Sequence, residues 1–543
     1  MATPTLSKPA STVYKFGTSG YRNDRDDGFN EAVVIQITCA IADTLIEKMN
    51  ADGVARPVLV GGDTRPKTKM AIPIIIETLL SRGVDVYEIQ GDVPTPVLAY
   101  AAAYLGTILG NDKGSAGAIL MTASHNPWNY GGYNFLTPDG AVAPSSLSKQ
   151  FEDYQAHPKN LVLDREKLGA EGEPKSIQIM PYESYLKHLI TGIKIDTAAL
   201  KAANLKVGYD PLFATGRYYF PKLMEDLGVT DMTVINNDDA PPEGYTGEPE
   251  PSAENLAVLS KIVKGFTDKD PNCLAVGFSN DGDADRFGVQ DEQGRFVHPN
   301  MILQLIAYLL TEHRGITEGA IARSQSTTHA LDDIAEKTGL SVLQTAVGYK
   351  FLAEAFIEHK EDPSLPTIVL GGESSGGMSI DGHIPEKDGL LANILVAELI
   401  AREKLPLSQI IEKVKAFAKH HYVFAEWAIV TELKSDILAD AQELLDNGGS
   451  MGSAFVVDVP TSQASAKNLK AVFGTQDGVK LYLQDGGWVL LRASGTEPLV
   501  RLYLETVGDS DDAAQKNLND LADYWLTHLD NLGISKASIK RKS

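Results

Sequence analysis

The sequence has almost no cysteine: Cys39 and Cys273 are the only two among 543 residues. Both sit among apolar neighbours, so they read as buried free thiols rather than as a disulfide or a metal-binding pair. Positive charge is also scarce. Lys and Arg total 49 against 72 Asp and Glu, a net charge of -23, which argues against nucleic acid or an anionic membrane as the main partner. Any phosphate-binding site must therefore be positive locally. Long apolar runs are missing too: 71–80 and 301–310 are among the longest, well short of the ~20 residues a membrane-spanning helix needs. Residues 1–12 contain no apolar stretch of the kind a secretory signal requires, so the expected location is the cytoplasm.

What remains is the composition of an ordinary soluble globular protein, 43% apolar and 22% charged. The chain is too long for one hydrophobic core, and at roughly 150 residues per domain four domains are expected. From 57 to 122, short β-rich runs (58–60, 84–89, 118–121) alternate with helical stretches at 72–80 and 97–105, the pattern of a parallel α/β domain. The alternation restarts at 205–209 and again near 320–323, which implies a structural repeat. After about Lys419 strands dominate, and an amphipathic helix covers 514–529, as in a smaller α+β domain. The predicted fold class is α/β: three similar mixed α/β domains over 1–189, 190–298 and 299–419, then an α+β domain over 420–543. The polar, Pro- and Gly-rich stretch 236–255 reads as a long loop, and the basic residues of 535–543 as a solvated tail.

Several short segments carry chemistry. Thr122-Ala123-Ser124-His125-Asn126-Pro127 follows an apolar strand, which places Ser124 at a strand's C-terminal end, where open α/β sheets bind ligands. A capped turn has the same local appearance, and adjacent side chains are expected to diverge, so Ser124 and His125 do not predict a dyad. Asp281-Gly282-Asp283-Ala284-Asp285-Arg286 also follows an apolar strand. In an extended loop its alternate carboxylates can converge on one cation, and oxygen donors without histidine favour magnesium or calcium; the other reading is an exposed acidic turn. Gly371-Gly372-Glu373-Ser374-Ser375-Gly376-Gly377 offers flexible backbone and short polar side chains suited to sugar hydroxyls. Arg492-Ala493-Ser494-Gly495-Thr496-Glu497-Pro498 has the ingredients of a phosphate nest, or of a plain β-turn. Gly17-Thr18-Ser19-Gly20-Tyr21-Arg22 is a short loop ending in an arginine.

Taken in order, GTSGYR, TASHNP, DGDADR, GGESSGG and RASGTEP resemble the motif set of the alpha-D-phosphohexomutase superfamily, whose members place four domains around a central cleft. The resemblance implies that Ser124 is a phosphoserine, and that Asp281, Asp283 and Asp285 hold Mg²⁺ together with a phosphoserine oxygen. It implies that Glu373 and Ser375 grip sugar hydroxyls, and that Arg492, Ser494, Gly495 and Thr496 clamp the phosphate that is not reacting. Arg22 and Arg286 match arginines of the reaction centre, Lys350 matches a lysine facing the substrate, and His125 follows the serine as in relatives.

The implied reaction is that of a phosphoglucomutase, interconverting glucose 1-phosphate and glucose 6-phosphate through glucose 1,6-bisphosphate, which also serves as activator. The flanking text Gly382-His383-Ile384-Pro385-Glu386-Lys387-Asp388-Gly389 favours the same subgroup. Two positions depart from the pattern. Ser374 fits none of the glucose, mannose or glucosamine variants of the sugar loop, and Asn134 stands where relatives carry a lysine that helps to deprotonate the attacking hydroxyl. Two other functions therefore stay open: a glucose 1,6-bisphosphate synthase using a donor such as fructose 1,6-bisphosphate, and a non-catalytic sugar-phosphate-binding paralogue.

Overall fold

The computed structural model describes residues 12–17, 20–111, 114–238, 240–242, 247–447, 450–451, 454–457, 478–494 and 498–542. The chain divides into two compact units. One comprises Met1–His298, Ala353–Glu358 and Ser375–Leu407, the other Pro299–Leu352, His359–Ser374 and Ser408–Ser543. Among the described residues no helix is long and apolar enough to cross a membrane.

The first unit holds two sheets. In the six-stranded sheet the order is Tyr21–Asn23, Gly131–Leu136, Ala118–Met121, Val58–Gly62, Val86–Ile89, Ser176–Ile179. Helices Glu31–Asp52 and Pro66–Ser81 help to build its core, in which Val34, Ile37, Ile75 and Leu79 meet Val58, Val60, Ile119 and Phe135. Glu31–Asp52 starts where the Asn30 side chain accepts from the Val33 amide, and stops at Gly53, whose φ of 73° only glycine adopts without strain. The five-stranded sheet runs Phe296–Val297, Phe287–Gln290, Ala275–Asn280, Lys206–Asp210, Asp231–Val234.

The strands that the alternation marks over 57–122 run parallel, Val58–Gly62 lying between Val86–Ile89 and Ala118–Met121, but each sheet also takes in antiparallel strands. Gly131–Leu136 returns antiparallel to Ala118–Met121, and Phe287–Gln290 antiparallel to Ala275–Asn280. The reason is length: the connections 122–130 and 281–286 fall short of the dozen or so residues that a parallel crossover requires. Each of these loops therefore caps a tight antiparallel return and is held by strands on both sides.

Helix Gly389–Glu403 belongs to this first unit. Thirteen of its residues from Gly389 to Ala401 are buried, and it packs on helix Thr197–Ala203 and on the strands flanking 281–286. A helix buried all round from Gly389 to Ala401, with Asn393 and Glu398 included, is an interior one.

The second unit contains parallel strands Ser341–Thr345, Ala320–Ser324 and Ile368–Glu373 and an antiparallel sheet in the order Ser450–Met451, Ala454–Val457, Gly478–Leu483, Trp488–Ala493, Leu499–Gly508, His421–Val430, Ile539–Lys542. Helix Asp511–Asn531 lies across that sheet and buries Leu518, Leu521, Trp525 and Leu529. Cys39 and Cys273 are both buried, and neither forms a disulfide.

Candidate active site

Strand Ala118–Met121, buried along its whole length, delivers the chain to Ser124. This serine is 2% exposed and has a φ of 50°, a left-handed conformation that costs a non-glycine residue on the order of 1–3 kcal/mol and needs outside support. Arg65 supplies it. Its guanidinium donates to the carbonyls of Ser124 (2.6 Å), Asn126 and Pro127 and to Asp63 Oδ2 (2.9 Å), while Asp63 also accepts from the Ala123 amide. Both members of this pair are about 1% exposed. Sequence reasoning missed Arg65; the signal was Asp63-Thr64-Arg65-Pro66 at the end of the strand Val58–Gly62.

The expectation that the Ser124 and His125 side chains diverge is corrected by the structure, because the left-handed turn swings them together. Ser124 Oγ lies 3.2 Å from His125 Nδ1.

The aspartate loop meets the serine loop directly. Asp281, Asp283 and Asp285 are 0%, 2% and 5% exposed, and one oxygen from each lies within 4.8 Å of the others. Ser124 Oγ donates to Asp281 Oδ2 at 3.0 Å. A Cβ on Gly282 would sit 2.2 Å from the Ser124 carbonyl, so only glycine permits this approach. Thr95 fixes the other side, donating its amide to the Asp283 carbonyl and its hydroxyl to Asp283 Oδ2, both at 2.8 Å.

Burial and then mutual repulsion hold the Asp281 carboxyl well above its ordinary range. The same causes, burial foremost, push Asp283 up to about 6. One oxygen each of Asp283 and Asp285 is buried without a hydrogen-bond partner. An oxygen-only donor set with orphaned buried acceptors fits a hard divalent cation.

Among the described residues, three cationic side chains besides Arg65 border this cluster. Arg22, on the edge strand paired with Gly131–Leu136, donates to Asn126 Oδ1 at 2.8 Å. Burial lowers its pKa, against the pull of Asp283. Arg286 Nη1 is 3.6 Å from Glu250 and its Nε 3.9 Å from Asp285. Lys387, which sequence reasoning quoted only as flanking text, places Nζ 2.9 Å from Asp285 Oδ2 and 3.3 Å from Glu386.

Asn134 is 6% exposed, and its amide nitrogen donates to the Thr122 carbonyl at 3.1 Å. A Cβ on Gly20 would meet its Oδ1 at 1.9 Å. The amide is thus packed into the sheet, where it braces the base of the serine loop.

The second unit carries the remaining sequence-derived residues except Ser375, which is exposed and falls in the first unit. Glu373 ends strand Ile368–Glu373 and is 9% exposed. The Ser374 hydroxyl lies 3.2 Å from that of Ser326. Ser326 belongs to a buried loop, 324–329, whose position depends on residues invisible to motif reading. Lys480 Nζ donates to the Gln325 carbonyl at 2.6 Å, and Glu505 accepts from the His329 amide and from the Trp488 indole, both at 2.8 Å.

Lys350 stands on helix Tyr349–Glu361, with Nζ 4.8 Å from the centre of the Phe351 ring. Arg492 lies opposite Arg501 across two strands. The Ser494 amide donates to the Leu499 carbonyl at 2.9 Å, and its carbonyl accepts from Lys434 at 3.0 Å. Gly495 and Thr496 lie outside the described residues.

The first unit therefore brings Ser124, His125, Arg22, Asp281, Asp283, Asp285 and Arg286 into one buried centre. Four family models match the chain in turn: phosphoglucomutase/phosphomannomutase alpha/beta/alpha domain I over 13–160, domain II over 183–294, domain III over 298–417, and the C-terminal domain over 456–523. A phosphoglucomutase/phosphomannomutase of Thermococcus kodakarensis is 30% identical, covering 90% of this chain and 94% of its own. A phosphoglucosamine/phosphogalactosamine mutase of Sulfurisphaera tokodaii is 26% identical over 93% and 98%, and a phosphoglucomutase of Komagataeibacter xylinus 25% identical over 90% and 87%.

Among solved structures, the open form of the Paramecium phosphoglucomutase parafusin shares the fold with a TM-score of 0.73, at 23% identity and 96% coverage of each chain. A Burkholderia thailandensis member of the family does so with a TM-score of 0.71, at 20% identity over 94% of this chain and 96% of its own. Matched along nearly its whole length by domain models and relatives of one kind, the chain belongs to the phosphoglucomutase/phosphomannomutase family of phosphohexomutases.

Proposed function

We propose that this phosphohexomutase carries its phosphoryl group on Ser124, depends on Mg²⁺, and acts on glucose phosphate through glucose 1,6-bisphosphate. The observation that carries this reading is the 3.0 Å contact between Ser124 Oγ and Asp281 in a centre of three buried carboxylates. A serine placed there as a phosphate carrier has a reason for its strained backbone and for the glycine that lets the two loops touch.

In the forward half-reaction the P–O bond to Ser124 Oγ breaks and a P–O bond to a free sugar hydroxyl forms, while that hydroxyl gives up its proton. In the second half, the bisphosphate having turned over, its other phosphoryl group returns to Ser124. Such a loose transition state needs alignment and charge neutralisation more than covalent help. Arg22 and Arg286 supply positive charge from the protein. A divalent cation held by Asp281, Asp283 and Asp285 would add further positive charge there. The family resemblance assigns Glu373 and Ser375 to the sugar hydroxyls, and Arg492, Ser494, Gly495 and Thr496 to the phosphate that is not reacting. An amide at position 134 cannot take the proton, so His125, 3.2 Å from Oγ, or Lys350 takes that role.

The names of the relatives divide among glucose, mannose and amino-sugar phosphates. The test is a coupled assay on glucose 1-phosphate, mannose 1-phosphate and glucosamine 1-phosphate, with Mg²⁺ and a trace of the matching bisphosphate. Turnover should be fastest with the glucose compound and vanish in Ser124→Ala; faster turnover of another sugar transfers the specificity to that sugar. The packed amide of Asn134 favours one second reading, bisphosphate synthesis. Net accumulation of glucose 1,6-bisphosphate from fructose 1,6-bisphosphate and glucose 6-phosphate, without mutase cycling, would establish it.

A further inference from the structure

The segment from His383 to Gly389 reaches the aspartate loop at three points. The Gly389 amide donates to the Ala284 carbonyl at 3.2 Å. A Cβ on Gly389 would come within 2.2 Å of the Arg286 carbonyl, so the turn lies flush against the loop. Lys387 Nζ is 2.9 Å from Asp285 Oδ2.

What sets the position of this turn is Asp388, which is fully buried. Its Oδ1 accepts from the Leu391 amide at 2.8 Å and caps helix Gly389–Glu403. Its Oδ2 accepts from the Tyr185 hydroxyl and from His383 Nε2, the latter at 2.8 Å. His383 in turn lies with Nδ1 3.1 Å from His188 Nε2, and His188 packs against both Tyr100 and Tyr104, with ring centres at 5.1 and 5.4 Å.

The protons along this chain can run only one way when both imidazoles are neutral. A carboxylate can only accept, so His383 carries its proton on Nε2, which leaves Nδ1 as an acceptor for the Nε2–H of His188. Burial, and then the neighbouring His383, lower the His188 pKa to about 4, so the His188 ring is neutral at neutral pH. Replacing His383 by an apolar side chain leaves a buried carboxylate short of one donor, a change the turn can accommodate only by shifting.

We infer that His383 is a positioning residue for the reaction centre: through Asp388 it seats the turn that holds the Lys387 ammonium at Asp285. Its two ring nitrogens join the helix Tyr182–Thr191 to the N-terminus of helix Gly389–Glu403, so the aspartate loop is backed by a chain of directional bonds rather than by apolar packing alone. Because Lys387 shares Asp285 with whatever cation the triad holds, displacing the ammonium changes how the triad binds that cation.

The inference rests on reading Asp281, Asp283 and Asp285 as a divalent-cation site, and the experiment keeps the two apart. The full-length chain and its variants are titrated with Mn²⁺ by calorimetry, with thermal unfolding recorded for each. Lys387→Met and His383→Leu should each shift the Mn²⁺ dissociation constant about 10-fold in the same direction, the usual size of an outer-shell effect. The double variant should move no more than about twofold further, because both changes act through one contact. His383→Gln, whose amide can still donate to Asp388, should stay within about twofold of the parent. A His383→Leu protein that binds Mn²⁺ as the parent does, or effects of the two changes that multiply, overturns the inference. Should His383→Leu fail to fold, His188→Leu removes the donor to Nδ1 and should shift binding in the same direction; parent-like binding there overturns the inference equally. A parent chain that binds no Mn²⁺, or an Asp283→Asn variant that binds it unchanged, removes the cation site and the inference together.

Discussion

The guanidinium of Arg65 closes three carbonyls of the serine loop against Asp63, so its removal acts on stability and on the nucleophile at once. Arg65→Met leaves Asp63 buried and unpaired and should cost about 3–5 kcal/mol in urea unfolding, with turnover lost in whatever protein remains folded. Gly282→Ala forces a methyl group to within 2.2 Å of the Ser124 carbonyl. It should abolish turnover while the fold, measured by circular dichroism, survives. Asn134→Lys should disturb the sheet, because the amide's place against Gly20 and Thr122 has no room for a longer side chain; a lower melting temperature without a gain in mutase rate is the expected result. Ser124 and the three aspartates stood out in the sequence because their loops follow buried strands, whereas the arginines Arg22 and Arg286 were picked out only through the resemblance of the motifs. Arg65 and Lys387 were not legible: the strand-end run Asp63-Thr64-Arg65-Pro66 marks a loop, but a single sequence does not say which distant loop its cation folds back upon.

Strands and helices with a strong period were read correctly within a few residues. Helix 330–338 and strand 341–345 follow the pattern of their apolar residues. The returning strands Gly131–Leu136 and Phe287–Gln290 escaped notice because they are short and buried on both faces, which removes the alternation that marks a half-exposed strand. Helix Gly389–Glu403 was similarly mute about its neighbours, since apolar residues on every side leave no single face to point with. Helix ends were more informative. Ser510 caps Asp511–Asn531 by accepting from the Ala513 amide at 3.2 Å. Ser510→Ala should lower stability by about 1 kcal/mol, read from the urea midpoint, and leave turnover unchanged.

For the molecule as a whole, the order of the five motifs announced the family, whereas the chain's division into two units did not follow from it. Residues 375–407 fold with the first unit although 359–374 and 408–543 belong to the second, a choice set by the apolar surface that helix Gly389–Glu403 covers. The three clustered carboxylates repel one another in the cation-free chain, so Mg²⁺ should stabilise the whole first unit, by about 2.7 kcal/mol at a hundredfold excess over its dissociation constant. Asp283→Asn should raise the melting temperature of the cation-free protein and abolish the shift caused by Mg²⁺. The decisive measurement is the intact mass and peptide map of the chain after treatment with glucose 1,6-bisphosphate and Mg²⁺. One phosphoryl group should appear on Ser124 and leave when glucose 6-phosphate is added. A chain that stays unmodified, or one that carries phosphate on another residue while turnover proceeds, would contradict the role assigned to Ser124.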